Sequence, residues 1–166
     1  MFKSSGSPVV KFLGGMPKVV FTPKAMKDIE TIVDICNDEV GWLGIVHTKP
    51  NNEYLIDKII VTNQEVHAST CEITSEGLHD LANVLPIEEL GLIKFWGHSH
   101  HNMGTSPSSQ DNTQAEELIS SSEDIFIRGI FNKKGEVNLS FYNKKTNIII
   151  DNVPYSIDVG IDNYEE

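Results

Sequence analysis

Residues 92–111 constrain this chain more than any other stretch. An apolar run, Leu92-Ile93-Lys94-Phe95-Trp96, passes through Gly97 into His98-Ser99-His100-His101; beyond Asn102-Met103-Gly104 comes Thr105-Ser106-Pro107-Ser108-Ser109-Gln110-Asp111. The run reads as a strand buried on both faces. Side chains two apart in an extended segment share a face, so His98 and His100 project together where that strand ends. Pro107 announces a helix that Thr105 or Ser106 can cap, since a proline in the first turn lacks only an N–H that would be unpaired anyway. Asp111, Ala115 and Leu118 then recur at i, i+4 and i+7, with Ser108 one turn before Asp111, and the apolar members make this stripe the inward one. Such a fold turns a carboxylate and a hydroxyl toward two imidazoles.

Two imidazoles and a carboxylate suit zinc and leave a fourth tetrahedral position open for water, as in catalytic sites; structural zinc sites are closed. Each piece alone has an ordinary explanation. A His-x-His pair can be a surface or satisfied core feature, Asp111 can simply favour the positive end of a helix dipole, and Ser108 can be a helix-start residue. Their joint spacing is what points to a metal centre.

His98-x-His100, seven residues, Ser108, two residues, Asp111 resembles the signature of the JAMM (MPN-plus, Mov34/JAB) zinc metalloproteases. That family also carries a glutamate at an earlier helix–strand junction, which Glu39 in Asp38-Glu39-Val40-Gly41-Trp42-Leu43-Gly44 resembles. With His101 where many eukaryotic members have proline, the wording is most similar to the compact prokaryotic and phage-type branch. The shared motif order runs from about Glu39 to Asp111.

The resemblance implies a single-domain MPN (JAB) fold, a cytidine-deaminase-like α/β sandwich with a mixed sheet flanked by helices. It implies a peptidase or isopeptidase with one zinc ion per chain on His98, His100 and Asp111. Zinc lowers the pKa of bound water from about 16 toward ~7. Glu39 would take that water's proton and pass it to the leaving amine, and Ser108 would donate a hydrogen bond to the tetrahedral oxyanion. Asp38 competes with Glu39 for the role of base; Glu39 is preferred because the family residue is a glutamate and its stem is longer. The implied partner is a peptide or protein substrate, with ubiquitin-like modifiers and phage or prophage proteins as the associations of this branch. The alternative is a non-catalytic MPN-type scaffold in a protein complex. A deaminase of related fold would need His-x-Glu and Pro-Cys-x-x-Cys, and the chain has neither. His101 reads either as an outer-shell or substrate-facing group or as an exposed loop residue. No His or Cys follows it, so a second zinc site in that half is not expected.

A length of 166 residues suits one domain, here an N-terminal arm over 1–17, a domain over 18–156 and an acidic tail over 157–166 that should fray. The formal charge of −11 repels phosphate backbones, and the only adjacent basic pairs are Lys133-Lys134 and Lys144-Lys145, so a nucleic-acid partner is not expected. Cys36 and Cys71 form no Cys-x-x-Cys pair and read as buried free thiols of a reducing cytosol, with a disulfide left open. The N-terminal apolar run is broken by Lys11 and Gly14-Gly15, a poor signal peptide, and no stretch approaches membrane-spanning length. The expectation is a soluble, cytoplasmic protein with no membrane partner.

Along the chain, the pattern predicts an edge strand at Val9-Val10, a strand at 19–21, and a helix from Thr22-Pro23 to about Asn37. A hairpin follows over 40–48 and 54–62, in which Gly41 and Gly44 mark close approach, either by core side chains or by substrate backbone. A short strand at 71–73 precedes a helix capped by Thr74, with Leu78, Leu81, Ala82 and Leu85 as its buried stripe and Pro86 at its end. Strands at 125–131, 137–142 and 148–153 close the domain, the first two joined by a turn over Asn132-Lys133-Lys134-Gly135. Pattern alone gives an α/β class and one domain.

Overall fold

The computed structural model describes residues 15–67, 70–100, 104–120 and 122–158, without the side chains of 65–73 and 110. The chain enters at β1 (Lys18–Phe21) and turns at once into α1 (Pro23–Ile35): Thr22 Oγ1 accepts the Ala25 N–H at 3.1 Å and Pro23 occupies the first turn. β2 (Gly41–Lys49) and β3 (Glu53–Ile60) pair antiparallel through a turn in which Asn51 and Asn52 both have positive φ, a conformation asparagine accepts more readily than other non-glycine residues. β4 (Gln64–His67) and β5 (Thr70–Ile73) make a separate hairpin. Then come α2 (Ser75–Val84), the short α3 (Ile87–Leu90), β6 (Ile93–Ser99), α4 (Ser109–Ser120), β7 (Ile125–Phe131), β8 (Val137–Asn143), β9 (Ile148–Asp151) and β10 (Tyr155–Ile157).

Eight of these strands form one mixed sheet in the order β10-β1-β3-β2-β6-β7-β8-β9. β6 lies inside it, antiparallel to β2 and parallel to β7. The sheet curls: Tyr54 on β3 and Phe141 on β8 bring their rings to 4.9 Å although β2, β6 and β7 lie between those strands. α1 fills the curl, packing Met26, Ile29 and Val33 with Phe21, Trp42 and Phe131. The opposite face carries a smaller core in which Leu81 of α2 and Ala115 and Leu118 of α4 meet Leu43, Trp96 and Phe126. Because side chains alternate, Phe95 and Gly97 of β6 look toward α1 while Trp96 and His98 look toward α4. The class is therefore mixed α/β, as the pattern predicts.

Several expectations need correction. α1 stops at Ile35, and in α2 only Leu81 of the expected stripe is buried; Leu78 is 41% exposed and Ala82 is exposed. The first turn of α2 docks on the chain after β3: a Cβ at Gly77 would fall 2.3 Å from the Asn63 carbonyl oxygen. β4, α3 and β10 were not foreseen, being short or polar. Fraying does not begin at Ile157, which pairs with Phe21, and the Asp158 N–H donates to the Phe21 carbonyl at 2.8 Å. Gly44 is explained by packing, since a Cβ there would meet the Phe95 ring at 2.7 Å. Cys36 is a free, half-buried thiol packed against the α1 core. Cys71 sits in β5 with its side chain outside the description, and Val9-Val10 lie outside the described residues. Among the described residues no helix is long and apolar enough to cross a membrane.

Gly97 carries a stringent steric requirement in the sheet. Trp42 is its cross-strand partner, and a Cβ on Gly97 would fall 2.1 Å from Trp42 Nε1. Trp42 is fully buried against Phe131 at 5.4 Å between ring centroids, so the indole has no free space to retreat into. Gly97→Ala should therefore destabilise the fold by about 1–3 kcal/mol, the usual cost of overpacking, as read by urea denaturation. An unchanged midpoint would show that the indole yields freely.

Candidate metal centre

His98 and His100 leave the end of β6 toward α4, and α4 returns Asp111 to them from its first turn. The three side chains are buried, and their ligand atoms all lie within 4.8 Å of one another. Nε2 of His98 is 3.0 Å from Asp111 Oδ1, Nε2 of His100 is 2.9 Å from Oδ2, and the two Nε2 atoms are 3.1 Å apart. Three ligands bonded to one tetrahedral zinc at about 2.0–2.1 Å would be separated by about 3.3 Å, so the cluster is already close to the size of the coordination sphere.

Proton accounting sharpens this fit. Nδ1 of His100 lies 2.8 Å from the Gly104 carbonyl oxygen, which can only accept, so Nδ1 carries the proton. A neutral His100 then aims the Nε2 lone pair at a carboxylate oxygen and at another imidazole nitrogen. Lone pairs at such distances repel, and the arrangement calls for a cation among them, either a second proton on His100 or a metal ion. Burial alone would lower the His100 pKa, but the hydrogen bonds to Asp111 and Gly104 outweigh it and raise it. Burial lowers that of His98, only partly offset by Asp111. Burial would raise the Asp111 pKa, yet hydrogen bonds from both imidazoles and from the Ser108 N–H hold its carboxyl well below the usual carboxylate range. The ionised carboxylate and a neutral His98 are the protonation states a metal requires.

Each side chain of the cluster is held from behind. The Trp96 indole stacks on the His98 ring, with centroids 4.6 Å apart and planes inclined by 23°; His98 Nδ1 has no hydrogen-bond partner among the described residues. Asp111 is fixed by a reciprocal cap: the Ser108 N–H donates to Oδ2 at 2.7 Å, and Ser108 Oγ accepts the Asp111 N–H at 3.1 Å. The helix cap is thus Ser108, and the expected cap at Thr105 or Ser106, with Pro107 inside the helix, is corrected: Pro107 precedes the cap because only Ser108 stands three residues from Asp111. Arg128, buried on β7, ties the same turn down, donating to Asn112 Oδ1 at 2.8 Å and to Ser140 Oγ at 3.2 Å. Sequence reading passed over Trp96, Gly104 and Arg128; the alternation that puts Trp96 two places before His98 was the one available signal.

Glu39 lies two residues before β2. The register Gly41 opposite His98, continued by two places, sets Glu39 opposite His100 on the same face. It is 1% exposed, whereas Asp38 is exposed, so of the two acids only Glu39 faces inward. Its Oε1 has no hydrogen-bond partner among the described residues. Burial pushes its pKa up to about 7, with His100 pulling it down and Asp111 pushing it further up. Ser108 is exposed at the mouth of the cluster. His101 lies outside the described residues.

The Glu39 shift has a thermodynamic signature. A carboxyl whose pKa rises from 4.5 unfolded to about 7 folded disfavours the fold as it ionises, so its contribution falls between those values as pH rises. In metal-free protein, Glu39→Gln should match wild type near pH 4 and exceed it above pH 7, by at most about 3 kcal/mol. Denaturation midpoints across that range check this; a pH-independent difference would contradict it.

No protein-family model and no curated protein matches this chain. Among solved structures it is similar to the solution structure of protein DSY2949 from Desulfitobacterium hafniense, with a TM-score of 0.61 at 12% sequence identity, covering 89% of this chain and 98% of that one. At that identity the likeness is one of fold: a mixed α/β architecture that the two chains share along nearly their whole lengths.

Proposed function

We propose that this protein is a zinc-dependent peptidase or isopeptidase of the JAMM type, with an MPN-like fold and His98, His100 and Asp111 as its metal ligands. The observation that carries the reading is the His100 tautomer. Its Nδ1 proton is committed to Gly104, so its Nε2 lone pair converges with Asp111 and His98 on one point, on the same face of the sheet as the buried Glu39, whose Oε1 has no hydrogen-bond partner among the described residues. Zinc bound there would supply Lewis-acid polarisation of a carbonyl and acidify water at the open position.

The chain's own groups account for the proton traffic. Glu39 titrates near neutrality, so it can accept a proton from water at Oε1 and release it to a leaving amide nitrogen, which departs poorly unless protonated. Ser108 Oγ already accepts the Asp111 N–H, which leaves its own O–H hydrogen to donate to an oxygen gaining negative charge. Trp96 and the Gly104 carbonyl hold the two imidazoles, and burial keeps bulk water from competing at the ligands. A purely architectural domain has no use for a buried carboxyl whose Oε1 lacks a partner among the described residues, which costs stability without return. The substrate is best read as an extended peptide or a flexible C-terminal tail, including that of a ubiquitin-like protein, able to lie along a strand edge.

Two substitutions separate base from ligand. Glu39→Gln should keep zinc, measured by elemental analysis, and lower turnover by at least ~10²-fold. Asp111→Asn should lose zinc, because an amide oxygen is a far poorer ligand than a carboxylate. A wild-type protein that takes up no zinc on titration at neutral pH would sink the reading, and wild-type turnover in Glu39→Gln would remove the base.

A further inference from the structure

Glu39 stands where the sheet's own hydrogen-bond ladder runs out on both sides, and two side chains complete it. Toward β6, the Ser99 N–H donates to the Val40 carbonyl at 2.9 Å, but the reciprocal bond goes to a side chain: the Val40 N–H donates to Ser99 Oγ at 3.1 Å. On its other edge β6 keeps to the β7 ladder there, the His100 N–H donating to the Phe131 carbonyl at 2.7 Å. Successive residues of a strand present their N–H and C=O to opposite edges, so Gly41 presents both of its groups to the β3 side. β3 has ended by then, its last partnership being Ile60 with Leu43. The Gln64 carboxamide takes the vacant place: Oε1 accepts the Gly41 N–H at 2.7 Å and Nε2 donates to the Gly41 carbonyl at 3.0 Å, as a neighbouring peptide group would.

Gln64 is itself anchored. Its Nε2 also donates to the Thr62 carbonyl at 3.2 Å. The adjoining Asn63 accepts from Thr74 Oγ1 at 3.2 Å, donates to Asp80 Oδ2 at 2.9 Å, and rests on Gly77. Ser99 is buried, and in sequence it stands between His98 and His100.

We propose that Ser99 and Gln64 are positioning residues for Glu39, holding Val40 and Gly41 in strand geometry so that the carboxylate stays aimed at the metal cluster. The proposal rests on the peptidase reading for its catalytic meaning. Strand ends fray at low cost, and an error of about 1 Å in a reacting group can cost 10²-fold in rate, so a general base at a strand end needs such a clamp.

The test uses the full zinc-loaded chain, a quenched-fluorescent peptide library as probe, and amide hydrogen exchange at residues 40 and 41. Gln64→Ala, at a half-buried position, and Ser99→Ala should each keep zinc stoichiometry and KM. Each should lower kcat by about 10-fold and speed exchange at Val40 and Gly41 by about 10-fold, leaving the middle of β2 unchanged. Adding Gln64→Ala to Glu39→Gln should lower the residual rate no further, because the clamp acts only through Glu39. A rise in KM at constant kcat, or further loss on the Glu39→Gln background, would overturn it by making Gln64 a substrate contact or a general structural prop. If the zinc-loaded wild type hydrolyses nothing, the peptidase reading falls, while exchange still decides the clamp: unchanged rates at Val40 and Gly41 overturn it.

Discussion

The hydrogen bond between His100 Nδ1 and the Gly104 carbonyl governs the chemistry around it. It fixes which ring nitrogen is protonated, and so it aims a lone pair at Asp111 and His98 over 2.9–3.1 Å. That concentration of lone pairs is tolerable only around a positive charge. The Ser108–Asp111 cap then keeps the carboxylate from rotating out of the cluster, and the Trp96 stack restrains the second imidazole. The site is thus preorganised for a cation by groups with ordinary structural duties: a loop carbonyl, a helix cap and a core indole.

Two carboxyl groups in this small region are pushed in opposite directions. Asp111, set against both imidazoles and accepting the Ser108 N–H, is held ionised; Glu39, also buried but with Oε1 unpartnered among the described residues, is pushed toward neutrality. On the proposed reading, such divergent environments would let one site draw a ligand and a proton carrier from the same functional group. The separation depends on burial, which follows from the site's place beside β6, a strand with neighbours on both edges and helices on both faces.

The same strand links the site to the cores. Gly97 admits the Trp42 indole on the α1 side, while Trp96 and His98 on the other side meet α4. Arg128, one strand over, pins the first turn of α4 through Asn112. Movement of either core would therefore be felt at the His98–His100–Asp111 cluster. α2 is the looser cover: it buries Leu81 and leaves Leu78 and Val84 exposed.

The sequence by itself determined what is local. A two-residue period put His98 and His100 on one face, a helical period brought Asp111 inward with Ala115 and Leu118, and Thr22-Pro23 and Thr74 announced their helices, because these patterns are set by backbone geometry over a few residues. The cap at Ser108 was misplaced by two or three residues since Thr105, Ser106 and Ser108 are chemically equivalent until the partner Asp111 is fixed in space. Tertiary structure alone decided the rest. Adjacent Asp38 and Glu39 differ in sequence by one methylene, but the pairing of β2 with β6 buries one and exposes the other. The bonds that hold the Glu39 strand entry join residues 59 and 23 positions apart, Val40 to Ser99 and Gly41 to Gln64, and no short-range period encodes them. β10 likewise exists only because β1 offers it an edge. Long-range register, set by how a curled sheet closes around α1, is the information that a single strand or helix does not carry.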